Sequence, residues 1–235
     1  MDSSEKPRGP RTTVKRVAIG VSIAVNAVVI AAVIWIATGS AMNTIMRIGT
    51  RFSHERWVSQ FALLDVSDGD TVFLGDSITE GGNWHELVPG CAVKNRGIGG
   101  DTTEGVLARL DHVTSGRPAR VFLMIGTNDL FAGVAEDEIV ANVAEIVRRI
   151  GTESPGTEVF VQSVLPRAAR YRSAVESLNA SLERSVAGTA RWVDLYPLFL
   201  DRSDGSIKDT LSNDELHLLG DGYLLWRDAI ADLLR

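Results

Sequence analysis

"TVFLGDSITEGGNW", Thr71 to Trp84, decides how the chain is read. An apolar run suited to a buried strand stops at Gly75, and an acidic–hydroxyl pair, Asp76 and Ser77, follows at once. A serine on a glycine-flanked turn has two explanations. It caps the helix that follows, or it is a nucleophile. The second needs three further parts: a base to take the serine proton, a carboxylate to orient that base, and donors placed where an oxyanion develops.

The rest of the body repeats the strand-then-turn pattern. Apolar runs at Ala92–Asn95, Val121–Ile125, Val159–Val164 and Arg191–Leu195 follow the first run at Thr71–Gly75. Between them, Ile139, Val140, Val143, Ile146, Val147 and Ile150 share one helical face, and Val175, Leu178, Leu182 and Val186 share another. Tyr223–Leu234 closes the chain as a helix. Near-continuous apolar strands alternating with helices predict an α/β protein with a parallel five-stranded sheet covered on both faces. There is no internal repeat and no low-complexity linker, so the body is one domain. In such sheets sites form at the carboxyl ends of the strands. Those ends carry Asp76–Ser77, then "NRGIGGDTT" (Asn95–Thr103), then "GTNDL" (Gly126–Leu130).

Four histidines are available as the base. His54 lies among Arg51, Glu55 and Arg56 and reads as solvated; His85 and His112 lie in a loop and on a polar helix face. His217 stands in "SNDELHLLGDGY" (Ser212–Tyr223), just before the last helix, with Asp214 three residues ahead. In a loop or irregular turn, a carboxylate at that spacing can reach the far ring nitrogen and fix the tautomer. Taken alone, the spacing is better explained by a surface aspartate and histidine, and it is the return of the chain to the sheet rim at the last helix that favours the catalytic reading. For the oxyanion the candidates are the Ser77 N–H, the Gly100 N–H and the Asn128 side-chain amide. Taken singly, Gly100 is explained by turn geometry and Asn128 by capping. Asp76, Asp101 and Asp129 adjoin the motifs and are expected to tie loops together, while Trp84, Arg96 and Leu130 are expected to line the substrate pocket.

"GDSIT" with Ser77, "RGIGGDTT" with Gly100, "GTND" with Asn128 and "DELH" with Asp214 and His217 resemble, in sequence and in order, the four blocks of the SGNH (GDSL) hydrolase superfamily. Within it the body is most similar to bacterial esterases akin to the catalytic subunits of platelet-activating-factor acetylhydrolase. The resemblance covers Val66 to Arg235. It implies a flavodoxin-like three-layer α/β/α sandwich and a metal-free serine esterase with Ser77, Asp214 and His217 as catalytic residues. Ser77, Gly100 and Asn128 would supply the oxyanion hole. No G-x-S-x-G is present, so the nucleophile elbow of α/β-hydrolases is absent. With no metal-ligand cluster and no phosphate-cradling loop, no cofactor is expected.

The N-terminus is of another kind. Val17–Ala37 carries no charge and, as a helix, spans roughly 31 Å, close to the hydrocarbon thickness of a bilayer. Lys6, Arg8, Arg11, Lys15 and Arg16 precede it and favour a cytoplasmic N-terminus. Residues 1–16 therefore read as a basic cytoplasmic tail, 17–37 as a transmembrane signal anchor, 38–65 as an amphipathic connecting helix and 66–235 as the hydrolase domain. That arrangement puts the body at the outer face of the cell membrane. "TGSAM" (Thr38–Met42) offers small residues for a cleavage site, in which case the body is secreted. Five basic against two acidic residues give the first forty residues +3, leaving −9 on the remainder of a chain whose total is −6. So acidic a body argues against nucleic acid as a partner. The single cysteine, Cys91, excludes an internal disulfide framework. The expected partner is a small ester substrate. Two other activities fit the same residues: an O-acyltransferase acting on cell-envelope glycans, and a non-catalytic binding module.

Overall fold

The computed structural model describes residues 10–37 and 52–234, which fall into two compact units, Met1–Arg51 and Phe52–Arg235. The expected basic tail up to residue 9, and residues 38–51 of the expected connecting helix, lie outside the described residues. In the first unit, α1 runs from Pro10 to Ala37. Its side chains are described at residues 19–31 and 33. Among the described residues no helix is long and apolar enough to cross a membrane.

The second unit opens with α2 (residues 52–61). Five parallel strands follow: β1 (Thr71–Gly75), β2 (Val93–Gly97), β3 (Arg120–Met124), β4 (Glu158–Gln162) and β5 (Arg191–Val193). They pair in the order β2-β1-β3-β4-β5, the doubly wound order 2-1-3-4-5. Short helices α3 (Ser77–Glu80) and α4 (Trp84–Leu87) follow β1. Helices α5 (Thr103–Ala108) and α6 (Asp111–Thr114) follow β2. After β3 come α7 (Thr127–Ala132) and the long α8 (Glu136–Glu153), after β4 comes α9 (Arg172–Val186), and after β5 come α10 (Tyr196–Phe199) and α11 (Gly220–Ile230).

Strand side chains alternate between two cores, which makes the unit three-layered. Val72, Leu74, Val121, Leu123, Val159 and Val161 face one side, under the apolar stripes of α8 and α9. Those stripes bury Ile139, Val143, Ile146, Val147 and Ile150 on α8, and Val175, Leu178, Leu182 and Val186 on α9. The opposite strand faces carry Phe73, Phe122 and Phe160, whose rings stack at 5.1 and 4.5 Å. Trp84 continues the stack on Phe73 at 3.8 Å and meets Trp226 of α11 edge-on at 4.7 Å. Each buried aromatic contributes about 1.5–3 kcal/mol by leaving water, with roughly 0.5–1.5 kcal/mol more for a well-placed ring pair.

Register levels the strand ends, because Gly75 pairs with Gly97 on one side and Met124 on the other. Gly97 has to be glycine: a Cβ there would collide with the backbone of Thr79 and Glu80, where α3 leans over β2. That close packing brings the Ser77 turn down onto the rim beside the Ile98–Asp101 loop.

Candidate active site

The opening question is answered at the start of α3. Asp76, in an extended conformation, is the N-cap and accepts from the Ile78 N–H at 3.0 Å. Ser77 is thereby released from capping, and its hydroxyl meets His217 Nε2 at 3.0 Å, 140 residues along the chain. On the other side of the ring, His217 Nδ1 lies 2.7 Å from Asp214 Oδ2. The second oxygen, Oδ1, accepts from the His217 N–H at 2.8 Å and the Leu216 N–H at 3.1 Å. Burial works against the Asp214 carboxylate. The hydrogen bonds from the His217 ring and backbone outweigh it and hold the group down at about 2. Glu215, with φ of +61°, turns the chain between the two residues so that a carboxylate three positions back can reach both the ring and the main chain. An antiparallel bridge between Ser212 and Leu218 closes the base of this loop, and Tyr223 Oη donates to the Ile78 carbonyl at 2.9 Å, tying α11 to α3.

The three expected oxyanion donors stand at the ends of β1, β2 and β3. Gly100 adopts φ +76°, a conformation glycine takes without strain. Among the described residues the backbone N–H groups of Ser77 and Gly100 have no protein acceptor. Asn128 donates from Nδ2 to the main-chain oxygen of Asp101 at 2.9 Å, which joins the third rim loop to the second.

The rim carboxylates tie loops together, as expected. Asp129 accepts from the Thr103 hydroxyl at 2.6 Å and from the Thr103 N–H, and burial pushes its carboxyl up. Asp76 is fully enclosed, and burial raises it to about 7 despite the Ile78 hydrogen bond. Asp101 anchors a network that the sequence did not disclose. It accepts from Arg109 Nε at 2.8 Å, lies 3.1 Å from His54 Nε2, and takes the Thr102 N–H at 3.0 Å. Arg109 also donates to the carbonyls of Gly75 and Arg96, binding the ends of β1 and β2 to the loop that carries Gly100.

Several expectations need correcting. His54 is not a solvated surface residue: it is half-buried in α2 and paired with Asp101. Trp84 does not line a pocket. It is buried in the aromatic stack, its indole N–H donating to the Thr79 carbonyl. Arg96 is buried too, holding the Leu64 carbonyl and lying 4.7 Å over the Phe61 ring. Leu130 packs against the α8–α9 core. Two clefts among the described residues lie away from Ser77, Asp214 and His217. One, of about 460 Å³, lies beside α10 near Pro197 and Lys208; the other, of about 710 Å³, is at the amino-terminal ends of β3 and β4. Among the described residues no group of three or more His, Cys, Asp or Glu side chains is arranged to hold a metal ion.

A serine hydroxyl, an imidazole and a carboxylate therefore meet in sequence at the carboxyl rim of a doubly wound sheet, an arrangement of the kind that serine hydrolases use. The chain belongs to the GDSL-like lipase/acylhydrolase family, whose profile matches residues 73–225. It is similar, at 33% identity over 184 residues, to the platelet-activating factor acetylhydrolase IB subunit alpha2 of Rattus norvegicus; the match covers 72% of this chain and 79% of that protein. A GDSL-like lipase from Bacteroides thetaiotaomicron has the same fold, with a TM-score of 0.68, 26% identity, and coverage of 77% of this chain and 96% of that one. The lipase/acylhydrolase from Enterococcus faecalis gives 0.60 at 25% identity, covering 70% and 94%. The chain is accordingly a carboxylic ester hydrolase.

Proposed function

We propose that the protein is a membrane-anchored, extracytoplasmic serine esterase that cleaves small carboxylic esters, such as acetyl esters of sugars or lipids. The observation that carries this reading is the relay of Ser77 Oγ, His217 and Asp214 at 3.0 and 2.7 Å. Ser77 Oγ attacks the ester carbonyl while His217 Nε2 takes its proton. The tetrahedral oxyanion is held by the Ser77 N–H, the Gly100 N–H and the Asn128 amide. Collapse expels the alcohol, which leaves with the proton from His217, and an acyl group remains on Ser77. Water then attacks the acyl carbon, His217 takes the water proton and returns it to Ser77, and the carboxylic acid departs. Asp214 keeps the ring in the tautomer that accepts at Nε2 and stabilises the imidazolium. The His217 and Asp214 side chains are 45% and 48% exposed. Water therefore reaches the base, which favours hydrolysis over transfer to a glycan.

The anchor rests on the uncharged run Val17–Ala37, the basic residues before it, and α1 itself, whose described apolar side chains, Ile19, Ile23 and Val28 among them, are exposed. Retention in membranes after alkaline carbonate extraction is expected, and release into the supernatant would remove the anchor. The catalytic reading is tested with p-nitrophenyl acetate, butyrate and octanoate on the full-length protein in detergent, alongside Ser77→Ala. Hydrolysis abolished in the variant is expected. Hydrolysis that persists in it would overturn the role of Ser77, and a wild-type protein that transfers acetyl to a sugar but not to water would be an acyltransferase.

A further inference from the structure

Arg167 is a buried side chain at this rim that the proposed mechanism does not use. It lies in the loop after β4, next to the β3 end that carries Asn128. The residue is 8% exposed, yet among the described residues no carboxylate lies within 4.0 Å of its guanidinium. Nη1 donates to the carbonyl and hydroxyl of Thr127, the residue before Asn128, both at 3.2 Å. Nε is buried and has no partner. Nη2 makes no hydrogen bond among the described residues and is not one of the buried atoms, so it reaches solvent. Burial works against the charge of this guanidinium, and the neighbouring Arg170 adds to that, while Asp76 pulls the other way. Arg167 and Arg170 lie over the Tyr171 ring at 4.1 and 4.9 Å, and Phe131, 63% exposed, has its ring 5.7 Å from Arg167.

An arginine taken out of water without an anion is costly. Here two like charges converge on one ring in a body that is otherwise acidic. The loop is also held rigid. Asn179 bridges the Val164 N–H and carbonyl at 2.8 and 2.9 Å, and the Arg167 carbonyl accepts from the Ile207 N–H at 3.2 Å. We propose that Arg167, backed by Arg170, is the binding site for an anionic group, a phosphate or a carboxylate, carried by the ester substrate close to its scissile carbonyl. The planar fork suits either oxyanion. Phe131 beside it suits a substrate that is apolar on one side of the charge.

The inference rests on Ser77 being the nucleophile, and its test separates the two. Two matched pairs are compared on the full-length protein: the mono-4-nitrophenyl ester of adipic acid against 4-nitrophenyl hexanoate, and acetylated glycerol 3-phosphate against monoacetylglycerol. The first pair places the anion on the acyl side, the second on the alcohol side. In one pair wild type is expected to favour the anionic member, and Arg167→Gln to cut that preference in kcat/KM about tenfold or more. Arg167→Lys, keeping the charge without the fork, should fall between. An equal loss on all four esters would show that Arg167 is only a strut for Thr127 and overturn the proposal, as would a wild type indifferent to the anion in both pairs. If Arg167→Gln fails to fold, inorganic phosphate at fixed ionic strength decides: competitive inhibition of wild-type hexanoate hydrolysis is expected, and its absence overturns the proposal. Hydrolysis surviving Ser77→Ala would instead overturn the nucleophile assignment.

Discussion

Arg109→Met is the sharpest test of how the rim is held. The substitution keeps an unbranched apolar stem and removes the charged guanidinium. Arg109 and Asp101 are both buried and meet at 2.8 Å. Removing one partner of a buried pair costs about 3–5 kcal/mol, because the other charge is left uncompensated. His54, 3.1 Å from the same carboxylate, offsets part of that loss, and the Gly75 carbonyl keeps its bond from the Ile98 N–H at 3.1 Å. The lower end, about 3 kcal/mol, is therefore expected. For a body of this size that lowers Tm by roughly 6–12 °C. Most of the cost is an orphaned charge, so neutralising that charge should recover some of it. Arg109→Met with Asp101→Asn should be more stable than Arg109→Met alone, although Asp101→Asn by itself destabilises the wild type. Coupling between two such neighbours runs at about 0.5–3 kcal/mol. Thermal unfolding of the three variants by far-UV circular dichroism measures it. A double variant whose loss equals the sum of the single losses would refute the assignment of the cost to an unpaired carboxylate.

Asn128→Ala should fold, since its amide makes one protein hydrogen bond, to the Asp101 carbonyl, and should lose about 10²–10³ in kcat on p-nitrophenyl acetate; undiminished turnover would take Asn128 out of the oxyanion hole. Asp76 has a folded-state pKa raised to about 7 from an ordinary 3.8, so the folded protein binds one more proton than the unfolded chain between those values, and stability falls as pH rises across that window. Asp76→Asn keeps an acceptor for the Ile78 N–H and should flatten that slope in Tm against pH; an unchanged slope would assign it to another group. Gly97→Ala places a Cβ against the backbone of Thr79 and Glu80, and should cost about 1–3 kcal/mol by denaturant unfolding while displacing the Ser77 turn enough to lower activity. An alanine tolerated without loss would mean that α3 does not press on β2.

The residues best read from sequence are those whose cause is local. The stripes of α8 and α9 follow from a period of 3.6, and the buried sets match position by position apart from Val140, which is only half-buried, and Asn179, which is buried on α9 outside the expected stripe. The strand ends follow from glycine, and with them the places of Ser77, Gly100 and Asn128. Strand β2 is the instructive miss. Its apolar run suggests Ala92–Asn95, but the ladder runs Val93–Gly97 and includes Lys94, Asn95 and Arg96. It lies at a sheet edge, and its polar side chains find partners no local pattern announces: Asn95 holds the carbonyls of Thr79, Glu80 and Gly82, and Arg96 that of Leu64. Helix α11 likewise starts at Gly220, ahead of the expected Tyr223, because its first turn is Gly-Asp-Gly, a sequence whose helical propensity is poor and whose place is set by tertiary contact. The same reason hides Arg109, His54 and Arg167. Each is an ordinary charged residue in sequence, and becomes informative only when a fold brings it to a carboxylate 8 or 47 residues away, or, for Arg167, leaves it buried with none. A motif shows which atoms react. What holds those atoms in place is long-range pairing of buried charge, and beside the loop of Asn128 stands Arg167, a buried guanidinium with no carboxylate paired to it among the described residues.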